Sequence, residues 1–359
     1  MATPFKLFGF ELGPKSYLGV DIGTLSIKII ELSIENGRPK LQNYGILENY
    51  SLSGTNSVQS LLTQKTQKIF GGEAVLMLRR LLKESEIAAK EINISVPIFS
   101  SFLTVMELPQ MSEAEIASAV QFEAKKYIPV SLDSVVIDWS LIGSNGNGKI
   151  LILLVAIPRE LINEYASIAG ETNLKLLAVE LETISAARAL MGNDPTPTVL
   201  IDMGSRDTTI SIVDGGFLRI SHSIETSGED LTRVLSNNLN VSWHRAEEIK
   251  KENGLKTLDN NAQIAAILTP LLDTVALASK NIIEIYFTKT KKKIERLIIY
   301  GGAAKMPGLT EYFEGQLKID AAVGNPFSRI AYLPNLKPII DEIGHEFTVA
   351  VGLALRSLQ

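Results

Sequence analysis

Apolar positions recur along this chain at two periods, near two and near 3.6, and the points where one gives way to the other separate strands from helices. Two of the strand segments are built alike about 180 residues apart, YLGVDIGTLSIKIIEL at 17–32 and TVLIDMGSRDTTISIV at 198–213. In each, an apolar β-prone run ends on an aspartate, Asp21 or Asp202, with a glycine two residues on, then hydroxyl side chains and a second β-prone run. The pattern predicts a hairpin with an acidic residue at its turn.

Between the two hairpins, residues 41–54 read as a short strand and loop, 58–70 and 73–85 as helical stretches, and 92–97 as a buried strand. Residues 100–166 look like an inserted unit, with a β run at 102–108, a helix, a strand at 135–142, a Gly/Asn turn at 143–148 and a strand at 149–157. The helix of this insert is well marked: Ser112 and Glu115 form a capping box, Ile116, Val120, Ala124 and Tyr127 share a face, and Pro129 stops the run. A helix near 158–170, a strand at 174–182 and a small-residue helix at 183–191 follow, and GNDPTPT at 192–198 reads as a linker. Beyond the second hairpin the pattern predicts helices at 228–239, 242–253 and 262–288, a strand at 296–302, another helix, and a final helix at 346–358. Strands alternating with helices around a duplicated hairpin predict an α/β protein of two similar halves. We set the first half at 1–194 plus 345–359, with the insert at 100–166 inside it, and the second at 195–344.

Composition narrows the function classes. A chain of 359 residues, 45% hydrophobic and 21% charged, is long enough for two cored domains. A net charge of −5 gives no global positive field for a broad nucleic-acid surface, so no nucleic-acid partner is expected. The basic run KTKKK at 289–293 sits between a helix and a strand and reads as a solvated helix end. Absence of cysteine excludes disulfides, thiol catalysis and cysteine-held metals, and His222, His244 and His345 lack paired metal-ligand spacing. The longest apolar run, 150–157, falls short of the roughly 20 residues that cross a bilayer. With no signal peptide, a cytoplasmic protein with no direct membrane span is expected. The opening MATPFKLFGFEL is apolar and aromatic enough to touch a membrane or partner, but reads as a frayed terminus.

The hairpin turns carry the candidate chemistry. A turn of Gly, Thr and Ser exposes backbone N–H groups that can wrap a phosphate, and two such turns suggest facing halves that clamp a polyphosphate, each aspartate aimed at its metal. Ordinary hairpins with polar turns would look the same singly. YGGAAKMPGL at 300–309 puts two glycines after a strand, where backbone can lie flat on a base or ribose; a plain strand-to-helix loop is the alternative. Glu247 and Lys250 share a helical face and could hold ribose and base or merely form a solvated pair. Glu182 at a strand end could orient water at a terminal phosphate or simply cap a helix.

The order of phosphate loop, connecting helix, second phosphate loop, adenosine loop and connecting helix resembles the actin, Hsp70 and sugar-kinase superfamily over nearly the whole chain. Within it, SYLGVDIGTLSIKIIELS (16–33), ELPQMSEAEIASAVQFEAKKYIPVSLDSVVIDW (107–139), IDMGSRDTTISI (201–212) and SGEDLTRVL (227–235) resemble the PilM family of type IV pilus assembly. That resemblance implies an actin-like ATPase fold, two halves flanking a nucleotide cleft, with an FtsA-type inserted subdomain. It implies ATP and Mg²⁺ as cofactors, with Asp21, Gly23, Thr24, Ser26 and Lys28 in the first phosphate loop. Asp202, Gly204, Ser205 and Thr208 match the second loop, and Asp21 and Asp202 would hold Mg²⁺ through water. Gly301, Gly302 and Pro307 match the adenosine loop, Glu247 and Lys250 the ribose or base contacts, and Glu182 the catalytic water-ordering position. Ser205, Arg206 and Asp207 depart from the glycine-rich second loop of bacterial actins, so at most slow ATP hydrolysis is expected. The implied partner is the cytoplasmic N-terminal peptide of a PilN-like membrane protein, held in a groove between insert and first half, which would keep the protein at the inner face of the cytoplasmic membrane. Self-association stays open. A small-molecule kinase of the same superfamily would need an acceptor-facing base that no string identifies. An Hsp70-type chaperone should carry a peptide-binding domain beyond the last nucleotide-site helix, and an FtsA-like division protein a polar linker and terminal membrane helix; neither is read before Gln359.

Overall fold

The computed structural model describes residues 5–7, 10–12, 15–48, 71–144, 148–256 and 262–358. The helical stretch expected at 58–70, the loop beyond 48 and the tip of the insert's Gly/Asn turn lie outside these residues. At the start, β1 (Phe5–Leu7) and β2 (Phe10–Leu12) pair antiparallel in a sheet of their own.

The first half is built on β3 (Ser16–Ile22), β4 (Ser26–Glu35) and β5 (Arg38–Glu48), an antiparallel meander in which Asp21 faces Lys28 and Ile22 faces Ile27 across the first turn. Leu18, Val20 and Ile22 of β3 and Ile27, Ile29, Ile30 and Leu32 of β4 are all buried, because helices cover both faces of the sheet. One covering helix is α1 (Gly71–Glu84), whose Ala74, Val75, Leu78 and Leu81 form its inner stripe. Next, β6 (Glu91–Val96) joins β3 in parallel.

The insert follows as β7 (Phe102–Pro109), α2 (Glu113–Ala124), β8 (Val135–Ser144) and β9 (Lys149–Pro158), with β9 central in a three-stranded antiparallel sheet. The capping box is formed: Glu115 accepts both the backbone N–H and the hydroxyl of Ser112 at 2.8 and 2.7 Å. Ile116, Val120 and Ala124 are buried as the spacing predicts, whereas Tyr127 is 46% exposed. The helix ends at Ala124, whose carbonyl accepts from Tyr127 and Ile128, and that turn swings Ile128 inward in place of Tyr127.

The first half resumes with α3 (Arg159–Glu171), β10 (Lys175–Leu181) and α4 (Glu182–Met191), giving the sheet order β10-β6-β3-β4-β5. The second half repeats the plan with β11 (Thr198–Met203), β12 (Thr208–Asp214) and β13 (Phe217–Ile224), then α5 (Gly228–Leu239), α6 (Trp243–Glu252) and α7 (Ala262–Thr290). After β14 (Arg296–Tyr300), α8 (Leu309–Leu317) and β15 (Ala321–Val323), the sheet reads β13-β12-β11-β14-β15, the same order position for position.

The helix α7, at 29 residues, is long and apolar enough by composition to pass for a membrane span, which the short run at 150–157 did not reveal. Its stripe of Leu268, Leu272, Val275, Ala276, Ser279, Ile282 and Tyr286 packs on β12, β13, α5 and α8, as in a helix covering a sheet. The basic run ends this helix as predicted, and Lys292 pairs with Asp214 at 2.8 Å.

The chain returns through α9 (Lys337–Ile343), a 3₁₀ turn at Gly344–Phe347 and α10 (Thr348–Arg356), so the last helix starts two residues later than its apolar pattern. Small residues let α10 lie close on its neighbours: a Cβ at Gly352 would sit 1.8 Å from the Ser185 carbonyl of α4, and one at Gly19 of β3 2.0 Å from the Ala350 carbonyl. The insert is fastened to both halves. One face of its sheet packs on α2; Leu153 and Ile142 share a core with Ala186, Met191, Leu200, Val213, Leu218 and Leu353 of the two halves. A bulge between Leu141 and Gly143 turns out the Ile142 carbonyl, which accepts from Arg219 of β13 at 2.9 Å.

Candidate functional site between the halves

Matching sheets place their first hairpin turns face to face across a cavity of about 320 Å³, within the range of small-molecule sites. Asp21 leaves β3 and Asp202 leaves β11 at equivalent points, and both line it, with Gly23, Thr24, Ser26 and Lys28 from one turn and Gly204 and Ser205 from the other. Glu182, Glu247, Lys250, Gly301 and Gly302 line the same cavity. Residues picked from five separate strings are therefore brought together.

The turns are tied within and between themselves. Gly23 N–H donates to the Ser26 carbonyl at 2.8 Å, Lys28 Nζ to Ser26 Oγ at 2.8 Å, and Ser95 Oγ of β6 to Asp21 Oδ1 at 2.7 Å. Across the cleft, Thr24 Oγ1 and Ser205 Oγ lie 2.6 Å apart, joining the two loops directly. The N–H groups of Gly228 and Glu229, at the start of α5, donate to the carbonyls of Gly204 and Ser205 at 2.9 and 3.0 Å, so this helix end braces the second loop. Gly301 has φ +89°, and a Cβ there would approach Asp202 Oδ1 to 2.3 Å; only glycine fits.

Charge is unbalanced at one end. Enclosure in the cleft, then the charges of Glu182, Asp207 and Asp21, hold the Asp202 carboxyl well above its ordinary range, against the pull of Lys28. Glu182 is the first residue of α4 and not the last of a strand, and it accepts the Ile98 N–H at 3.2 Å. Among the described residues no three His, Asp or Glu side chains come together as a metal cage. A divalent cation carried with phosphate oxygens and water suits this donor set, since its charge would offset the excess of carboxylates.

At the other end, Glu247 and Lys250 pair at 2.7 Å, but the pair is not the solvated one that spacing allows. Lys250 is buried and also donates to the Gly228 carbonyl at 3.0 Å and to Thr232 Oγ1 at 2.8 Å, while Thr232 donates to Glu247 at 2.5 Å. Burial works against the Glu247 charge, but Lys250 and Thr232 outweigh it and leave this carboxyl below its ordinary range.

Two assignments need correction. The Thr208 side chain is fully buried and donates to the Thr226 carbonyl at 2.7 Å, away from the cavity; the next residue, Thr209, faces it, because side chains alternate along β12. Pro307 does not line the cavity either: its carbonyl accepts the Leu255 N–H at 2.7 Å, packing the loop against the end of α6. Sequence reasoning also passed over Glu229, Trp243 and Glu346, and read Asp207 only as a departure from glycine; all four line the cavity. Trp243 was within reach, because Trp243, Glu247 and Lys250 are spaced i, i+4 and i+7 on one helical face. Glu346 lies in the returning 3₁₀ turn, for which the sequence carries no signal.

Beside Glu346, His345 is buried, with no hydrogen-bond partner for Nδ1 among the described residues. Burial first, then Lys305 and Lys28, push its pKa from 6.5 down to about 4. The unfolded chain takes up this proton near the ordinary value and the folded one only near the depressed value, so stability present at neutral pH is lost as pH falls through that window. The loss attributable to this group is about 3 kcal/mol. Urea midpoints at neutral and acid pH check it: His345→Asn is expected to show a shallower acid limb than the parent.

Two halves with one strand order, closing on an acid-floored cleft, define the actin-like ATPase fold. The sequence model of the type IV pilus assembly protein PilM family matches residues 19–358, and the chain belongs to that family. A chain of a PilM-PilN type IV pilus biogenesis complex is similar with a TM-score of 0.79 at 20% identity, covering 96% of this chain and 98% of that one. The ethanolamine utilization protein EutJ from Carboxydothermus hydrogenoformans is similar with a TM-score of 0.55 at 18% identity, over 96% and 90% of the two chains. MreB 5 of Spiroplasma citri bound to AMPPNP gives 0.53 at 14%, over 96% and 97%. By sequence, the cell division protein FtsA of Enterococcus faecalis is 21% identical over 355 residues, 84% of this chain and 78% of that protein.

Proposed function

We propose that this chain is a cytoplasmic, nucleotide-dependent scaffold of pilus assembly that binds Mg·ATP between its halves and a membrane-protein peptide through its insert. The observation that carries the nucleotide part is the meeting of two acid-ended hairpin turns at one cavity, with Thr24 and Ser205 in contact across it. Similarity in fold to MreB 5 bound to AMPPNP supports the same reading. Asp21 and Asp202 would hold the cation through water, Lys28 would meet phosphate charge, Gly301 would leave room for backbone approach, and Glu182 would orient a water. Bound Mg²⁺ would supply charge neutralisation between phosphate oxygens. Turnover would be slow at most, since Ser205, Arg206 and Asp207 make a bulkier second loop than a run of glycines. Acceptor-dependent fast ADP release would favour a small-molecule kinase instead.

For the partner, the fold of a chain in a PilM-PilN complex supports a PilN-like membrane protein, whose cytoplasmic N-terminal peptide would hold this chain at the inner face of the membrane. The division into 1–194 plus 345–359, with 100–166 inserted, and 195–344 is supported by the return of α10 onto β3. The insert offers the peptide an outer surface where Phe122 of α2 is 68% exposed and Leu141 of the edge strand β8 49% exposed. Deleting the insert would strip its shared core from both halves, so point changes are the cleaner test. Titration of the full chain with such a peptide is expected to show binding weakened at least tenfold by Phe122→Asp or by Leu141→Asp. Unchanged affinity in both variants would exclude this surface.

A further inference from the structure

A second cavity, of about 290 Å³, opens in the first half at the end of its sheet away from the cleft. The strands β3, β6 and β10 run parallel; Asp21 and Pro97 leave them toward the cleft, whereas Lys90 and Leu174 sit at their opposite end, just before β6 and β10. There, where α1 and α3 finish, Leu82, Ile87 and Leu174 give the cavity an apolar wall, and Arg79, Lys83 and Lys90 line it with three cations. No carboxylate among the described residues lines it.

Cations beside helix C-termini ordinarily serve as caps. Here the caps are already made. The N–H groups of Glu86 and Ile87 donate to the Lys83 and Leu82 carbonyls at 3.3 and 3.1 Å, and those of Asn173 and Leu174 to the Gly170 and Ala169 carbonyls at 3.0 and 2.9 Å. Glu86 and Asn173 supply the left-handed turns, with φ +52° and +59°. Arg79 takes the Glu171 carbonyl through Nε and Nη2 at 3.2 and 2.6 Å, which fixes its guanidinium in place. Lys83 and Lys90 are left over. Among the described residues neither ammonium has a hydrogen bond or an ion pair, in a chain with 40 acidic side chains against 35 basic ones.

Leu76 completes the surface. It is 67% exposed and shares a stripe of α1 with Arg79 and Lys83, at i, i+3 and i+7. A bare leucine beside unpaired cations matches the boundary of an anionic bilayer, where phosphates accept from the cations and the apolar side chain leaves water. The stretch MATPFKLFGFEL, apolar and aromatic in sequence, joins β3 at this same end through Lys15, which pairs with Glu91 at 2.8 Å. We infer that this pocket takes the phosphate of an anionic phospholipid between Arg79, Lys83 and Lys90, with Leu76 seated at the acyl boundary. The end of the first half away from the cleft is then a membrane contact of the chain's own, separate from any partner peptide.

Sedimentation of the full chain with vesicles of phosphatidylglycerol and phosphatidylcholine in equal parts, without peptide or nucleotide, tests it. Binding that weakens as salt is added, and none to phosphatidylcholine alone, is expected. Lys83→Ala and Lys90→Ala should each weaken it roughly fivefold, the value of one basic side chain at an anionic surface, and together roughly twenty-five-fold. Leu76→Ser is expected to weaken it by roughly fivefold as well. All three side chains are exposed, so melting temperatures should match the parent. Lys289→Ala combined with Lys293→Ala removes the same charge from the basic run at 289–293 and should leave binding unchanged. An equal loss in that control marks unspecific attraction and overturns the pocket, as does a wild-type chain that stays in the supernatant. Calorimetry showing Lys83-dependent binding of inorganic phosphate or of an acidic peptide, with vesicle binding indifferent to Leu76→Ser, assigns the site to a soluble anion and overturns the bilayer contact.

Discussion

Asp202→Asn is expected to remove saturable Mg·ATP binding and, at the same time, to raise the melting temperature of the nucleotide-free protein. The two effects have one cause. Without a cation, Asp202 sits in the cleft facing the charges of Glu182, Asp207 and Asp21, with Lys28 as the opposing charge, and holds its proton well above the usual carboxylate range. An amide keeps the shape and removes the repulsion, so the empty fold gains; the site loses a carboxylate aimed at the cation and its affinity falls by at least tenfold, by analogy with other sites where one charged partner is removed. The pH dependence follows with its sign. A raised carboxyl pKa means that the folded state binds more protons than the unfolded one between the ordinary and the raised value, so the stability it contributes is lost as pH rises through that window. Asp202→Asn flattens that slope. Mg·ATP binding is expected to release this proton, which calorimetry in buffers of different ionisation enthalpy would read directly.

The second large effect lies away from the chemistry, where α10 packs on α4. Gly352→Ala is expected to cost about 3 kcal/mol or more of stability, at the upper end of overpacking penalties, because its Cβ would meet the Ser185 carbonyl at 1.8 Å. The obstacle is backbone, so α10 and α4 must separate. These helices pack on the two sheets and carry Glu182 at one end, so the cleft should be disturbed with them. Gly315→Ala in α8 is the contrast: a Cβ there meets nothing within 4 Å, and relief of glycine's backbone entropy is expected to stabilise by about 0.5–1 kcal/mol. Denaturant midpoints of the two variants should move in opposite directions.

The architecture was legible in the sequence because it is written twice. The hairpins around Asp21 and Asp202 share one pattern, and the repeated strand order follows from it. The insert's helix was legible from Ser112 and Glu115, whose capping box depends on residues three apart. Individual side-chain directions were less so. Thr208 and Thr209 differ by one position, and only the register of β12 against β11, with Thr208 opposite Met203 and Thr209 opposite Asp202, decides which faces the cleft. Asp207 stood out as a departure from glycine, and its meaning as one more carboxylate beside Asp202 needed the third dimension. The approach of His345 and Glu346 to the cavity depends on where the returning chain docks, a long-range contact without local signal.

The most direct test of the central claim is a crystal structure of the full chain grown with Mg²⁺ and a non-hydrolysable ATP analogue. Phosphate density between the turns after Asp21 and Asp202, with a hydrated cation beside both carboxylates and the base toward α6, is the expected result. Nucleotide bound elsewhere, or a cleft left empty at saturating nucleotide, would contradict it.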